Sequence, residues 1–298
     1  MTITSTTGIE TKKPQWQHDL ERDGYCVVPG VVDAAACRAF EESAWAWLSG
    51  FGLGFNVNDK STWTAAHLPS SAFGGLYYQH SVQHESFVWA IRTFDGINVS
   101  LPLGPQGQRD IQPTKPWPHI DSDPRAPFSL YQGIANLAPN GQKDGGLCVL
   151  RGSHLLHSQY PAGFDGPATD AHRFTEEEFE WYQSQCETVK VCADAGDLIL
   201  WDSRTVHWNC SPVGTQPRLA TYVCYCPRDV ADEEAMERRL TLWRERKGST
   251  HAPHKGLMAR GQEEPPRRLD GSEGGWRTVP KKEAMETPEV LALVGLRP

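Results

Sequence analysis

Apolar residues early in the chain recur three and four positions apart. Behind Asp33, the positions Cys37, Phe40, Ala44, Trp47 and Leu48 form one such series, which predicts a helix with a single buried stripe and Asp33 as its N-cap. Just before it, His18 to Asp23 reads as a short helix and Gly24 as a turn. The run Tyr25 to Pro29 reads as an edge strand, because Pro29 has no N–H to give to a ladder. Residues 1–17 show no period and are expected to form a flexible tail. From about residue 50 to 118, Gly-rich and Pro-rich loops alternate with aromatic segments, Phe87 to Phe94 being the clearest helix, and this region is expected to be lid-like.

At His119 the pattern changes to short apolar runs separated by turns. Phe128 to Leu137, Leu147 to Leu150, Thr188 to Cys192, Asp197 to Trp201 and Leu219 to Cys226 predict an antiparallel β core. Thr175 and Glu178 stand in capping-box spacing ahead of Phe179 and Trp181, so one helix interrupts that core. The charged stretch Ala231 to Lys247 predicts a surface helix within a wrapping extension over about 229–298. The expected organisation is one catalytic domain over 18–298, mainly β with flanking α-helices.

Composition narrows the class of function. With 39% hydrophobic residues in 298, disorder is excluded as the main state. No window holds the roughly 18 apolar residues that a membrane-spanning helix needs, and the polar start lacks a signal-peptide core, so a cytoplasmic protein with no membrane partner is expected. The eight cysteines include no C-x-x-C pair and are expected as thiols. A formal charge of −8 opposes binding to nucleic acid, leaving a small-molecule substrate as the expected partner. A monomer and a homodimer are both compatible with these features.

Three polar signals stand out in the β region. His119-Ile120-Asp121 is an H-x-D step whose alternate side chains converge on one face of an extended chain. With 11 His and 17 Asp, about 0.6 such steps arise by chance, so a third ligand is required. His207 supplies it at the end of the run Gly196 to Trp201 and its polar continuation. Two imidazoles and one carboxylate leave three octahedral positions free, which suits Fe(II) with a bidentate cosubstrate and O2. Arg218 follows after a Ser211 to Gly214 turn, and its planar fork can hold a carboxylate. Fe(II), Asp121, a dicarboxylate and Arg218 sum to zero charge, which a buried site tolerates.

Other histidines carry less. His80 and His84 are four apart and would share a helix face. Gln79 and His80 are expected to line the pocket mouth and touch substrate. His154 and His157 are expected to secure a turn. His251 and His254 lie in a Pro-containing loop with little signal, and Trp117, Tyr131, Trp201 and Trp208 are expected in the core or just behind the site rather than against the ligand. From the residues alone, a cupin-type metal enzyme without 2-oxoglutarate and a silent ligand-binding β-barrel stay open as alternatives.

The ordered set Gly24 to Gly30, His119-Ile120-Asp121, Gly145 to His154, Gly196 to Arg204, His207 and Arg218 resembles the phytanoyl-CoA hydroxylase-like family of Fe(II)/2-oxoglutarate dioxygenases, and its fungal members most. The resemblance covers roughly residues 18 to 255. It implies a double-stranded β-helix, a jelly-roll of cupin-like type, with iron at its open end. His119, Asp121 and His207 would ligate iron, and Arg218 would bind the distal carboxylate of 2-oxoglutarate. Gln132 is similar to a strand residue that helps hold the cosubstrate. Asn209 stands where a small hydroxyl residue is common and is the candidate for a second cosubstrate contact. The retained Asp121 implies oxygen chemistry without halogenation. The expected activity is oxidation of a small organic substrate, by hydroxylation, desaturation or cyclisation, in fungal specialised metabolism.

Overall fold

The computed structural model describes residues 13–89, 96–104, 107–108, 110–127, 130–165, 171–252, 254, 258–260, 265–268, 270–277, 279–280, 283 and 286–296. Residues 1–12 of the expected tail, 90–94 of the Phe87 to Phe94 helix and 128–129 of the first core strand lie outside them.

The first elements are α1 (Gln15–Asp23), β1 (Tyr25–Val28), α2 (Ala34–Gly50), β2 (Leu76–Tyr77), α3 (Ser86–Trp89) and β3 (Ile97–Ser100). Then come β4 (His119–Ile120), β5 (Tyr131–Asn136), β6 (Gly146–Leu150), β7 (His172–Arg173), α4 (Glu176–Gln185) and β8 (Thr188–Lys190). The last are β9 (Leu198–Asp202), β10 (His207–Cys210), β11 (Arg218–Tyr225), α5 (Glu233–Arg244), β12 (Gly248–Ser249), β13 (Ala259–Arg260) and α6 (Pro288–Leu293).

Two antiparallel sheets carry the fold. One runs β1-β9-β5-β11-β3-β2 and the other β7-β4-β10-β6-β8. Because successive side chains of a strand face opposite ways, each sheet offers one face to a shared interior. Ile134, Ile199 and Ala220 from the first sheet meet Leu147 and Val149 from the second there. Each of the Ile, Leu and Val side chains, fully buried, contributes about 1.5–3 kcal/mol. This is the double-stranded β-helix. On its outer faces, α1 places Leu20 against Cys26 and Leu200, α2 places Trp47 and Leu48 among Ile97, Val99 and Leu219, and α4 places Tyr182 among Cys148, Leu150 and Trp208.

The local signals act as the sequence predicts. Asp33 accepts from the backbone N–H groups of Ala35 and Ala36, and Thr175 with Glu178 closes a full capping box on α4. Gly24, at φ 79°, ends α1 and lets the backbone run against its neighbours. A Cβ there would strike Thr205 Oγ1 and His154 Nδ1. None of the eight cysteines forms a disulfide. Among the described residues no helix is long and apolar enough to cross a membrane.

Four boundaries differ from expectation. The first helix starts at Gln15, inside the expected tail. In the expected lid region, β2 and β3 are strands of the six-stranded sheet, with β3 paired to β11. The continuous run through His207 divides: β9 ends at Asp202, and a turn delivers His207 to β10 in the opposite sheet. The charged helix α5 is not purely superficial, since it buries Ala235, Leu242 and Trp243, the last against Val290 and Val294 near α6.

His154 and His157 do secure their turn. His154 Nε2 donates to Glu21 O at 3.2 Å, and His157 Nε2 donates to Arg204 O at 2.7 Å while its Nδ1 accepts from Tyr182 Oη at 2.6 Å. Burial pushes the His157 pKa down to about 4. The unfolded chain therefore takes up this proton first as pH falls. The stability lent by the neutral ring is whole above about pH 6.5 and is lost as pH drops through the folded-state value. Urea unfolding from pH 6.5 to 4 is expected to show falling stability, with a shallower slope in His157→Gln. An unchanged slope in that variant would remove His157 as a source.

Candidate active site

The site forms where the two sheets part. β4 is only two residues long, yet its pairing with β10 sets His119 directly opposite His207. Their ring centroids lie 4.2 Å apart. Beyond β4, the Asp121 N–H donates to Ser203 O at 3.0 Å, which ties the Asp121 backbone to the β9–β10 turn. His119 Nε2 and His207 Nε2 stand 3.7 and 3.6 Å from Asp121 Oδ2. One ligand atom from each of the three residues lies within 4.8 Å of the others.

Both imidazoles are oriented from behind. His119 Nδ1 faces Trp117 O at 3.2 Å and His207 Nδ1 faces Thr205 O at 2.8 Å. Each Nδ1 therefore carries the proton and each Nε2 offers its lone pair to the shared space. The Trp117 indole stacks on His119 at 4.2 Å and 14°, and Phe73 stacks on Trp117 in turn at 5.2 Å. Burial, then the neighbouring His207, pushes the His119 pKa down to about 3, against the pull of Asp121, so its ring stays neutral at physiological pH. Burial raises the Asp121 carboxyl, but the polar groups around it, His207 first and then His119 and His251, outweigh that and keep its pKa below the usual range.

The facing sheet supplies the other polar groups. Gln132 of β5 donates from Nε2 to Asp121 Oδ2 at 2.7 Å, while its Oε1 is buried without a hydrogen-bond partner. Arg218 opens β11 and is 2% exposed, with Nη1 buried and unpartnered. Room for its guanidinium comes from Gly146, φ 148°, where a Cβ would stand 3.3 Å from both Arg218 Nε and Lys190 Nζ. Lys190 is spent on Asn140 Oδ1 at 2.6 Å. A buried guanidinium nitrogen with no partner is costly, and a carboxylate ligand satisfies it. The donor set His, Asp, His suits Fe(II) with open positions, so the residues fit both iron and a dicarboxylate.

One cavity of about 350 Å³ holds His119, Asp121, Gln132, His207, Asn209 and Arg218 together. Trp117, Trp201 and Trp208, expected in the core or just behind the site, also line it, whereas Tyr131 packs outside with Leu20 and Cys26. Gln79 and His80 do not line it. His80 and Ser81 are both left-handed, at φ 58°, so no helix joins His80 to His84. His80 instead turns into the aromatic cluster around Phe51 and meets Ser70 Oγ at 3.3 Å. Sequence reasoning missed Tyr222 and Cys224, although both share the face of Arg218 at two-residue intervals along β11 and were legible there. It also missed Phe73, Arg173 and His251, which reach the cavity from loops and a strand end with no local signal.

A double-stranded β-helix that gathers two imidazoles and a carboxylate at its open end, opposite a buried guanidinium, defines a non-haem Fe(II)- and 2-oxoglutarate-dependent oxygenase. The chain belongs to the phytanoyl-CoA dioxygenase (PhyH) family, whose profile matches residues 104–217. It is 34% identical over 271 residues to "Ava biosynthesis cluster protein O" of Aspergillus versicolor, covering 80% of this chain and 86% of that one. Among solved structures it is similar to the epimerase SnoN in complex with Fe3+, alpha ketoglutarate and nogalamycin RO, with 20% identity, 71% of this chain and 82% of that chain covered and a TM-score of 0.43. EctD from S. alaskensis with 2-oxoglutarate and 5-hydroxyectoine matches at 12% identity, covering 76% and 80% of the two chains with a TM-score of 0.46.

Proposed function

We propose that His119, Asp121 and His207 bind Fe(II) through Nε2, a carboxylate oxygen and Nε2, and that Arg218 grips the distal carboxylate of 2-oxoglutarate. The observation that carries this reading is the convergence of the three donors with the unpartnered Arg218 Nη1 in one cavity. Iron and 2-oxoglutarate held by these residues would supply the O2-dependent oxidising chemistry for a substrate C–H bond. The chain's own residues do the rest. The backbone carbonyls of Trp117 and Thr205 keep both rings in one tautomer, so no proton need leave either ring before metal binds. Gln132 fixes the Asp121 carboxylate by its 2.7 Å bond, and its unpaired Oε1 leaves an acceptor for a bound group. Asn209 lies in the same cavity and supplies an amide for a second cosubstrate contact.

The substrate is a small organic molecule with an apolar part, because the walls beyond the metal and cosubstrate groups include Phe73, Leu76, Ile134, Leu147 and Tyr222 beside the polar Arg173 and His251. Likeness to a protein of a fungal biosynthesis cluster supports a role in specialised metabolism. Outcomes include hydroxylation, desaturation or cyclisation, decided by how the walls place the substrate.

Anaerobic titration of the protein with Fe(II) and then 2-oxoglutarate tests the reading without knowledge of the substrate. The expected result is a weak visible metal-to-ligand band that saturates with 2-oxoglutarate. Iron binding without that band would overturn the cosubstrate assignment, and no iron binding would overturn the triad.

A further inference from the structure

The two imidazoles and the Gln132 amide all make their closest approach to Asp121 through Oδ2. The other carboxylate oxygen, Oδ1, faces a group from a distant part of the chain: His251 Nε2, 3.9 Å away. His251 lines the same cavity and its side chain is 36% exposed, so it stands at the mouth.

The path that brings it there is built in. Helix α5 ends in a Schellman turn, with Lys247 N–H donating to Leu242 O at 2.9 Å and Arg246 N–H to Trp243 O at 3.1 Å. The left-handed residue of that turn is Arg246, φ 57°, where glycine is usual. Its strain is held by specific contacts. Buried His84 donates from Nε2 to Arg246 O at 3.2 Å, and the guanidinium pairs with Glu283 at 2.9 Å and lies over Trp243. The redirected chain enters β12, paired with β13, and Thr250 N–H donates to Met258 O at 3.1 Å. The next residue is His251. A strained, over-determined turn whose outgoing chain carries a side chain to the Asp121 carboxylate is explained by what it delivers.

We infer that His251 is a positioning residue of the active site, contributed by the C-terminal segment, which constrains Asp121 by donating toward Oδ1 so that Oδ2 is presented with the two imidazoles. The inference rests on the reading that His119, Asp121 and His207 hold iron. Closing the 3.9 Å gap needs only a small shift or one bridging water.

The test uses the full chain with His251→Ala and His251→Gln, stripped of metal, titrated anaerobically with Fe(II), then with 2-oxoglutarate at saturating iron. Thermal unfolding is recorded beside each titration. His251→Ala is expected to weaken Fe(II) binding roughly ten- to a hundredfold and shift the metal-to-ligand band, with the unfolding midpoint kept. His251→Gln retains an N–H donor and is expected to recover most of the affinity. Wild-type affinity in His251→Ala overturns the inference, as does a loss that merely follows a lowered unfolding midpoint or that glutamine does not rescue. Failure of the wild-type chain to bind Fe(II) overturns the underlying reading and the inference with it, which separates that outcome from the others.

Discussion

His207→Ala is expected to bind Fe(II) more than roughly a hundredfold more weakly than the wild type and to release no succinate at any 2-oxoglutarate concentration. Losing a partner that only orients a metal ligand costs about ten- to a hundredfold in affinity, and His207 is itself a proposed ligand, so its loss exceeds that range. The remaining pair, His119 and Asp121, is too small a donor set to hold iron against water. The variant should still fold. β10 is paired on both sides, with β4 and β6, and its ladder belongs to the backbone. In the apo-protein the side chain bonds to Thr205 O at 2.8 Å and packs against the His119 and Trp201 rings, so stability should fall by about 1–3 kcal/mol. His207→Gln guards against a folding defect, since an amide refills part of the space. Calorimetry with Fe(II) on both variants, beside circular dichroism, checks the result. Near-wild-type iron affinity in either one would break the proposed triad.

How far such a site can be read from sequence depends on how local its causes are. The H-x-D step was legible because strand geometry alone puts His119 and Asp121 together, and the helix caps at Asp33 and Thr175 were legible because capping is settled within four residues. His207 was found for a reason only half right. It does sit at the mouth, but as the start of a strand in the second sheet, because Ser203 to Val206 form a turn that hydrophobic pattern does not mark. Strand β3 was hidden by its own chemistry. Its Asn98 and Ser100 are polar yet 1% and 3% exposed, since Ser100 Oγ donates to Asn98 Oδ1 at 2.7 Å, so burial there does not look apolar. His80 was misplaced because two successive left-handed residues, neither of them glycine, redirect the chain. His251 had no local signal at all. Its position is fixed by Arg246 and His84, a contact spanning 162 residues.

Arg218 carries the other large effect. Arg218→Met is expected to raise the 2-oxoglutarate requirement by about 30- to 4,000-fold, the factor that corresponds to about 2–5 kcal/mol for removing one partner of a buried charge pair. Iron affinity should be nearly unchanged, because the guanidinium lies across the cavity on β11 while two of the three donors stand on the opposite sheet. Arg218→Lys should recover little, since an ammonium cannot reproduce the two-pronged geometry. The stability of the apo-protein should move the other way. With Nη1 buried and unpartnered in a residue 2% exposed, the guanidinium is a cost that only a bound carboxylate offsets. Methionine of similar length removes that cost, so the unfolding midpoint of apo Arg218→Met should rise above the wild type. Added 2-oxoglutarate with Fe(II) should then raise the midpoint of the wild type far more than that of the variant. Both parts are read from one series of thermal melts with and without the two ligands, joined to the 2-oxoglutarate dependence of the visible band. An unchanged 2-oxoglutarate requirement in Arg218→Met would show that the distal carboxylate is held elsewhere in the cavity, whatever the melts record.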